Sequence, residues 1–367
     1  MKINYYKLSD LCVDIIDCPH STPIWKESGV RVVRNFNLKD GNLDFSNGFY
    51  VDESTYQDRI KRAMPEQDDI IISREAPMGV VAIIPKDLKC CLGQRLVLLK
   101  VDKSKIAPFY LLSILRSEYV QTQFRRADVT GSTVSNLCIP DLKNIIIPVV
   151  EINQSQNAKL LKNINEKIVV NSKINDNLQQ VIKSCFDFMF ATRKPNGIIS
   201  DILQEHPKST IQVNDSTGVL GDYPFFTSGE AINEWQSALV DGMNCYLSTG
   251  GNATIKGYYG KAAYSTDTWC VCGKGEYSFY LFCYLKSIIR SINDSFFAGS
   301  GLKHLQKDSL LLVNLYIPSE KELEKFNSIV KPAMETMTTL FLETKKLKQQ
   351  RDFLLPLLMN GQATITE

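Results

Sequence analysis

The chain writes one unusual passage twice. Residues 131–137 read GSTVSNL and residues 299–305 read GSGLKHL. Each leads into an apolar run closing on Ile-Pro, "IPDLKNIIIP" up to Pro148 and "QKDSLLLVNLYIP" up to Pro318, and a long polar helix follows each. The likeness extends upstream. "KLSDLCVDII" and "IISDILQEHP" open the two halves, and "IAPFYLLSILRS" stands against "YSFYLFCYLKSIIRS". In "DIIISREAPMGVVAIIP" and "NCYLSTGGNATIKGYYG" an apolar strand ends in Ser before a Gly-containing turn. Order and spacing are kept while identity is low. Two copies make no solenoid; they predict one chain with approximate twofold symmetry.

The helices that end the copies carry their own pattern. Leu323, Phe326, Val330, Ala333, Met337, Leu340, Thr344, Leu347, Arg351, Leu354 and Leu358 follow 3-4 spacing, a coiled-coil seam apolar at nine of eleven positions. Ser319 and Glu322 form a capping-box signature at its start and Gly361 suits its end. Pro332 sits inside and is expected to kink or break the helix, because it lacks the N–H and its ring crowds the preceding turn. The earlier helix follows Leu161, Ile164, Ile168, Asn171, Asn175, Leu178, Ile182, Cys185 and Met189. Asn171 and Asn175 either sit in the seam and favour one register, or face solvent; the sequence leaves both open. Each helix has about 40 residues and spans roughly 60 Å. Neither can hold an apolar stripe in water alone, so the pair is expected to pack antiparallel as a rod between two globules.

"VRVVRNF", "DDIIIS", "VVAIIP", "LVLLKV", "GYYGKAAYS" and "TWCVCG" read as strands, β-branched or aromatic runs bounded by turn residues. The fold class is therefore α+β: two similar α/β domains separated by two long antiparallel helices forming a coiled coil, with pseudo-twofold symmetry. The expected boundaries are 1–149 for the first domain, 150–192 for the first spacer helix, 193–318 for the second domain and 319–367 for the second spacer.

At 367 residues with 44% apolar side chains, the chain can bury two cores. Its 42 basic and 40 acidic residues leave +2, so any anion-binding surface must be local and offset elsewhere. "MKINYYKLSD" has no apolar signal segment, and no run of about 18 apolar residues occurs; a cytoplasmic chain with no membrane contact is expected. The ten cysteines are scattered without a C-x₂-C pair, so buried reduced thiols are expected and no metal site. Cys270-Val-Cys272, and Cys18 near His20, do not change that reading.

Catalytic motifs are missing. There is no G-x-x-x-x-G-K-[ST], no G-x-G-x-x-G after a strand, and no N/D-P-P-Y/F of the kind amino-methyltransferases carry. His20, His206 and His304 are isolated from any Ser or Cys motif. "PDLK" at 140–143 resembles part of a nuclease signature, but it lies in the Ile-Pro strand run and the second copy lacks it. "STGGNATIKG" at 248–257 lacks the Lys-Ser/Thr of a nucleotide site; a tight turn facing a polymer backbone fits it better.

Two readers on a rod match a bipartite site in duplex DNA, whose major groove repeats about every 34–36 Å. Base reading needs Arg for guanine and Asn or Gln for adenine. Candidate donors near strand ends are Arg31, Arg34, Asn35, Arg74, Gln94 and Arg95 in the first half. In the second they are Thr227, Ser228, Asn252, Lys256, Tyr258, Tyr259 and Lys261. For each alone, an exposed strand-edge side chain is the simpler role; the paired placement argues for the set. The Gly-Ser doublets add Ser132 and Thr133 in one copy and Lys303 and His304 in the other. A plain turn into the following run is the equal alternative there.

This layout resembles the specificity (S) subunits of type I restriction–modification systems, over essentially the whole chain. The resemblance rests on the two variable domains, each closed by a Gly-Ser doublet, an Ile-Pro strand and a long helix. "IIIPVVEINQSQNAKLLKNINEKI" is similar to the first family spacer, where Pro is usually followed by Glu-Gln; here Glu151 and Gln154 are separated, and "IPSEKELEKF" has no Gln. The resemblance implies a non-catalytic DNA-recognition subunit. Each domain would read one half-site, the helices would set the spacing, and two methyltransferase subunits would dock. No cofactor is expected in this chain, with S-adenosylmethionine on the methyltransferase partners and a restriction (motor-nuclease) subunit as a further partner in some systems. The competing expectations are a coiled-coil scaffold joining two protein-binding domains, and a self-sufficient enzyme.

Overall fold

The computed structural model describes residues 3–46, 48–127, 136–150, 154–299, 301, 303–359 and 362–363. The chain divides into two compact units, residues 1–168 with 346–367, and residues 169–345.

In the first unit, Ile3–Lys7 pairs antiparallel with Ile146–Val150, so the two ends of the globular part lie side by side. A tight turn at Leu8–Leu11 follows. The Lys7 N–H donates to the Asp10 carboxylate at 3.1 Å and the Leu8 N–H to the Ile145 carbonyl at 2.8 Å. The main sheet runs Cys12–Asp17, Leu96–Val101, Ile70–Ser73, Val81–Ile83, every neighbour antiparallel. Both of its faces are covered. Ile70, Ile72, Val97 and Leu99 pack with Tyr110, Leu111 and Ile114 of the helix Pro108–Leu115. Ile71, Leu96 and Leu98 pack with Val33, Cys90 and Leu92 on the other side. Double burial explains why these strands read as unbroken apolar runs rather than alternating ones. A smaller sheet orders Tyr50–Val51, Val30–Val33 and Cys90–Leu92, its last pair parallel.

The second unit repeats this sheet plan. Gly197–Ile198 pairs antiparallel with Asn314–Leu315. The Ile198 N–H donates to the Asp201 carboxylate at 2.8 Å and the Ile199 N–H to the Val313 carbonyl at 3.0 Å. The main sheet runs Leu203–Glu205, Thr268–Gly273, Met243–Ser248, Ile255–Tyr259, again antiparallel throughout. The smaller sheet orders Ile232–Trp235, Tyr223–Phe226 and Ala263–Tyr264, again with the last pair parallel. Helix Ser278–Ser287 packs on the main sheet through Phe279, Tyr280, Leu281 and Cys283.

The passages before each Ile-Pro are not strand throughout. Ile139–Asn144 and Lys307–Leu311 form short helices, and the strands reduce to Ile146–Val150 and Asn314–Leu315. Pro140 lies in a first helical turn, where its missing N–H costs nothing, and Leu142 and Leu310 are the buried anchors. "PDLK" therefore sits on a helix.

The long helices are Gln154–Phe190 and Glu320–Met359. Within the second unit they run antiparallel. Asn171 Nδ2 donates to Glu343 Oε2 at 2.7 Å and to Thr344 Oγ1 at 3.2 Å, while the Phe186 and Phe190 rings lie 6.3 and 5.3 Å from Phe326. Asn171 is 1% exposed, so of its two readings the buried one holds; Asn175 is half-buried. At the start of the second helix the Ser319 N–H and Oγ donate to the Glu322 carboxylate at 3.0 and 2.8 Å. Pro332 does not break that helix. Its ring and Ser328, four residues back, are both exposed, so water can satisfy the Ser328 carbonyl, while Val330, Ala333 and Met334 are buried on the packed face. Among the described residues no helix is long and apolar enough to cross a membrane.

Candidate nucleic-acid interface

In the second unit three loops are tied together at one edge. The strand Met243–Ser248 ends in a buried serine whose Oγ donates to the Asn252 carbonyl at 2.7 Å. The next residue, Thr249, donates its N–H to Asp267 at 3.3 Å and accepts from the Leu305 N–H at 3.0 Å. The Gly251 N–H donates to the Lys303 carbonyl at 3.0 Å; Gly251 has φ +77°, which favours glycine here. Thr254 Oγ1 reaches the Ser228 carbonyl at 3.0 Å, joining the loop after Tyr223–Phe226. Lys256 Nζ donates to the Thr227 and Ala231 carbonyls at 3.1 and 3.3 Å, and also to Gly229. Burial pushes its ammonium pKa down, as expected for a charge taken out of water.

The first unit makes the same stitches. Ser73 Oγ donates to the Pro77 carbonyl at 2.6 Å; the Arg74 N–H donates to Arg95 at 2.8 Å, and its carbonyl accepts from the Leu137 N–H at 3.1 Å. Asn35 Nδ2 donates to the Ala76 carbonyl at 2.6 Å, joining the loop after Val30–Val33 to the one after Ile70–Ser73. The Gly-Ser doublets are thus welded by their closing leucines to the turn that follows the serine-ended strand.

The candidate donors divide on this geometry. The Arg74 guanidinium grips the Asp17 carboxylate at 3.0 and 3.1 Å, the Leu137 carbonyl at 3.0 Å and Asn136 at 3.3 Å, with 13% of the side chain exposed. Thr227 is buried, its hydroxyl on the Ala231 carbonyl at 2.7 Å. Tyr258 is a core residue, 5.6 Å from the Phe226 ring and 5.9 Å from Phe341, and Tyr259 lies 5.5 Å from Phe279. With Lys256 and Asn35, these side chains hold their own unit's loops. Gln94 donates to the His20 carbonyl, and Arg95, with φ +66°, pairs with Glu75 at 3.1 Å. Ser228 is half-buried; Asn252, Lys261, Lys303 and His304 are exposed. Ser132 and Thr133 lie outside the described residues.

Arg31 and Arg34 have a different setting. The Arg34 guanidinium carbon lies 4.7, 5.0 and 5.3 Å from the rings of Phe49, Phe36 and Trp25, and that of Arg31 lies 4.8 and 5.7 Å from Phe45 and Tyr50. These aromatic partners, together with Asp17 and Glu75, escaped the sequence reading. The visible trace was the run of aromatics on either side of the two arginines.

A two-unit chain with one topology repeated, and with the same loop edge built twice, is a duplicated scaffold. Residues 6–180 match the family described as Type I restriction modification DNA specificity domain. The chain is 27% identical over 151 residues to the Type I restriction enzyme EcoDI specificity subunit of Escherichia coli, covering 39% of this chain and 33% of that protein. It is similar in fold to the S subunit of a type I restriction-modification system from M. genitalium, with TM-score 0.62, 15% identity, and coverage of 100% of this chain and 97% of that one. The match to that specificity-domain family covers the first half of the chain, and the similarity spans about a third of the length of the E. coli specificity subunit.

Proposed function

We propose that the chain is the DNA sequence-recognition subunit of a type I restriction–modification complex. Each globular part reads one half of a bipartite duplex site, and the long helices set the half-site spacing. The observation that carries this is the duplicated loop edge, where Leu137 and Leu305 bond the turns at Arg74 and Thr249 in the same way. A split target needs two readers of one design, and the family match supplies the chemistry of the target. The catalytic work falls to partners: two methyltransferase subunits carrying S-adenosylmethionine, with a restriction subunit in addition where the system cleaves.

The first long helix offers those methyltransferase partners a surface. Val170, Ile174, Val181 and Phe188 lie outside the seam, and Phe188 is 90% exposed. Exposed apolar side chains recurring along one helix favour a protein contact.

Methylome mapping of the host with and without this gene tests the reading. Loss of methylation at one two-part motif supports it. An unchanged methylome, with the chain expressed and folded, leaves the scaffold role.

A further inference from the structure

We infer that the first unit recognises a guanine through Arg34, and that the second unit reads its half-site without a counterpart of that arginine. This rests on the DNA-reading role proposed above and adds which base chemistry each unit takes.

Arg34 directly follows the strand Val30–Val33, where the Gly93 N–H closes on the Val33 carbonyl at 2.7 Å. Its three aromatic neighbours brace one another, with Trp25 and Phe36 lying 4.9 and 5.6 Å from Phe49. A guanidinium held against ring faces keeps its in-plane N–H donors available, because the contact uses its face and not its edge. That is the requirement for a bidentate fork onto the O6 and N7 of guanine, which needs a planar donor pair in a fixed orientation. Other arginines of the unit are committed elsewhere: Arg74 to Asp17, Arg95 to Glu75, and Arg59 to the carbonyls of Leu92, Ser21 and Pro19. Among the described residues neither Arg31 nor Arg34 makes an ion pair or donates a side-chain hydrogen bond.

The second unit has a counterpart position without the counterpart chemistry. The Ser265 N–H closes on the Phe226 carbonyl at 3.0 Å as Gly93 does on Val33, so Thr227 occupies the place of Arg34. Its hydroxyl is turned to the Ala231 carbonyl. The arginines of residues 169–345 are Arg193 and Arg290. Arg193 is paired with Glu322 at 3.0 Å, and Arg290, exposed on the helix Ile289–Ser295 whose Asn293 accepts from the Ala253 N–H at 3.0 Å, stands apart from the position of Arg34 and lacks its aromatic bracing among the described residues. What that loop edge exposes is Asn252, Lys303 and His304. The two half-sites are therefore read by unlike donors, and the recognised sequence is asymmetric in chemistry as well as in order.

The test uses the chain in its purified complex, as wild type, Arg34→Ala and Arg34→Lys, selecting from a duplex library randomised at both half-sites over a salt series. Both variants are expected to lose about 10- to 100-fold discrimination at one G·C pair in one half-site, with the other half-site and the salt slope unchanged. Lysine keeps the charge but not the fork, so it does not rescue. Phe49→Leu, which removes the central brace, relaxes the same base pair. Unaltered preferences overturn the assignment. So does weakening of all sequences alike with a salt slope flatter by about one unit, the mark of a phosphate contact. A wild-type complex that selects no motif sinks the DNA-reading role itself.

Discussion

The backbone N–H of Leu305 donates to the carbonyl of Thr249 at 3.0 Å, and in the other unit Leu137 makes the same bond to Arg74 at 3.1 Å. Each leucine is the last residue of a Gly-Ser doublet. The repeated string is thus the mark of a repeated joint, placed where a chain segment returns to the turn after a serine-ended strand. The main consequence is that several polar residues at that edge hold it together, and their substitution acts on folding before it acts on any ligand.

Arg74→Gln illustrates this. It leaves the partly buried Asp17 carboxylate without the Nη1 that bridges its two oxygens and releases the Leu137 carbonyl. A loss of about 2 kcal/mol in unfolding free energy is expected, from hydrogen bonds to charged groups. Chemical denaturation checks it. Unchanged stability with altered sequence preference would return Arg74 to the role of base reader.

Lys256→Met removes the ammonium that ties Thr227, Gly229 and Ala231. Faster amide exchange confined to residues 227–231 and their neighbours is expected, with a loss of about 2 kcal/mol. If exchange there is unaltered and the salt slope of DNA binding falls instead, Lys256 contacts phosphate.

Asn171→Leu addresses the helix seam. Asn171 Oδ1 is buried without a partner, and Nδ2 bonds Glu343 and Thr344. Leucine suits an apolar seam better, and a gain of about 1 kcal/mol in stability is expected, with some loss of register specificity. A fall in the thermal midpoint contradicts this and makes the Glu343 bond the stronger term.

Asp40 sets a pH dependence in the first unit. Burial pushes its carboxyl pKa up, but Lys348 at 3.1 Å, then Arg116 and Arg351, outweigh this and hold it below the usual carboxylate value. A depressed native pKa contributes stability that is present above the unfolded value of about 4 and is lost as pH falls through the native one. The stability difference between wild type and Asp40→Asn is therefore constant near neutral pH and closes below about pH 4. A difference independent of pH over that range contradicts the ion-pair origin.

Much of the architecture was legible because it is written locally. The seam from Leu323 to Leu358 and the runs "DIIIS" and "LVLLKV" announce a long helix and doubly covered strands. Site assignment depended on distant pairings that no local pattern carries. Arg74 looks like an exposed loop arginine until Asp17, 57 positions upstream, is brought beside it. Tyr258 looks like a polar contact until the strand Ile255–Tyr259 turns it inward against Phe226. Pro332 looks like a helix break until its exposed setting lets water take the orphaned carbonyl.

The central claim is a split target, and selection of duplexes from a fully random pool by the wild-type complex tests it most directly. Two specified blocks separated by a fixed run of unspecified base pairs are the expected product. One uninterrupted block, or two blocks at freely varying separation, contradicts the account.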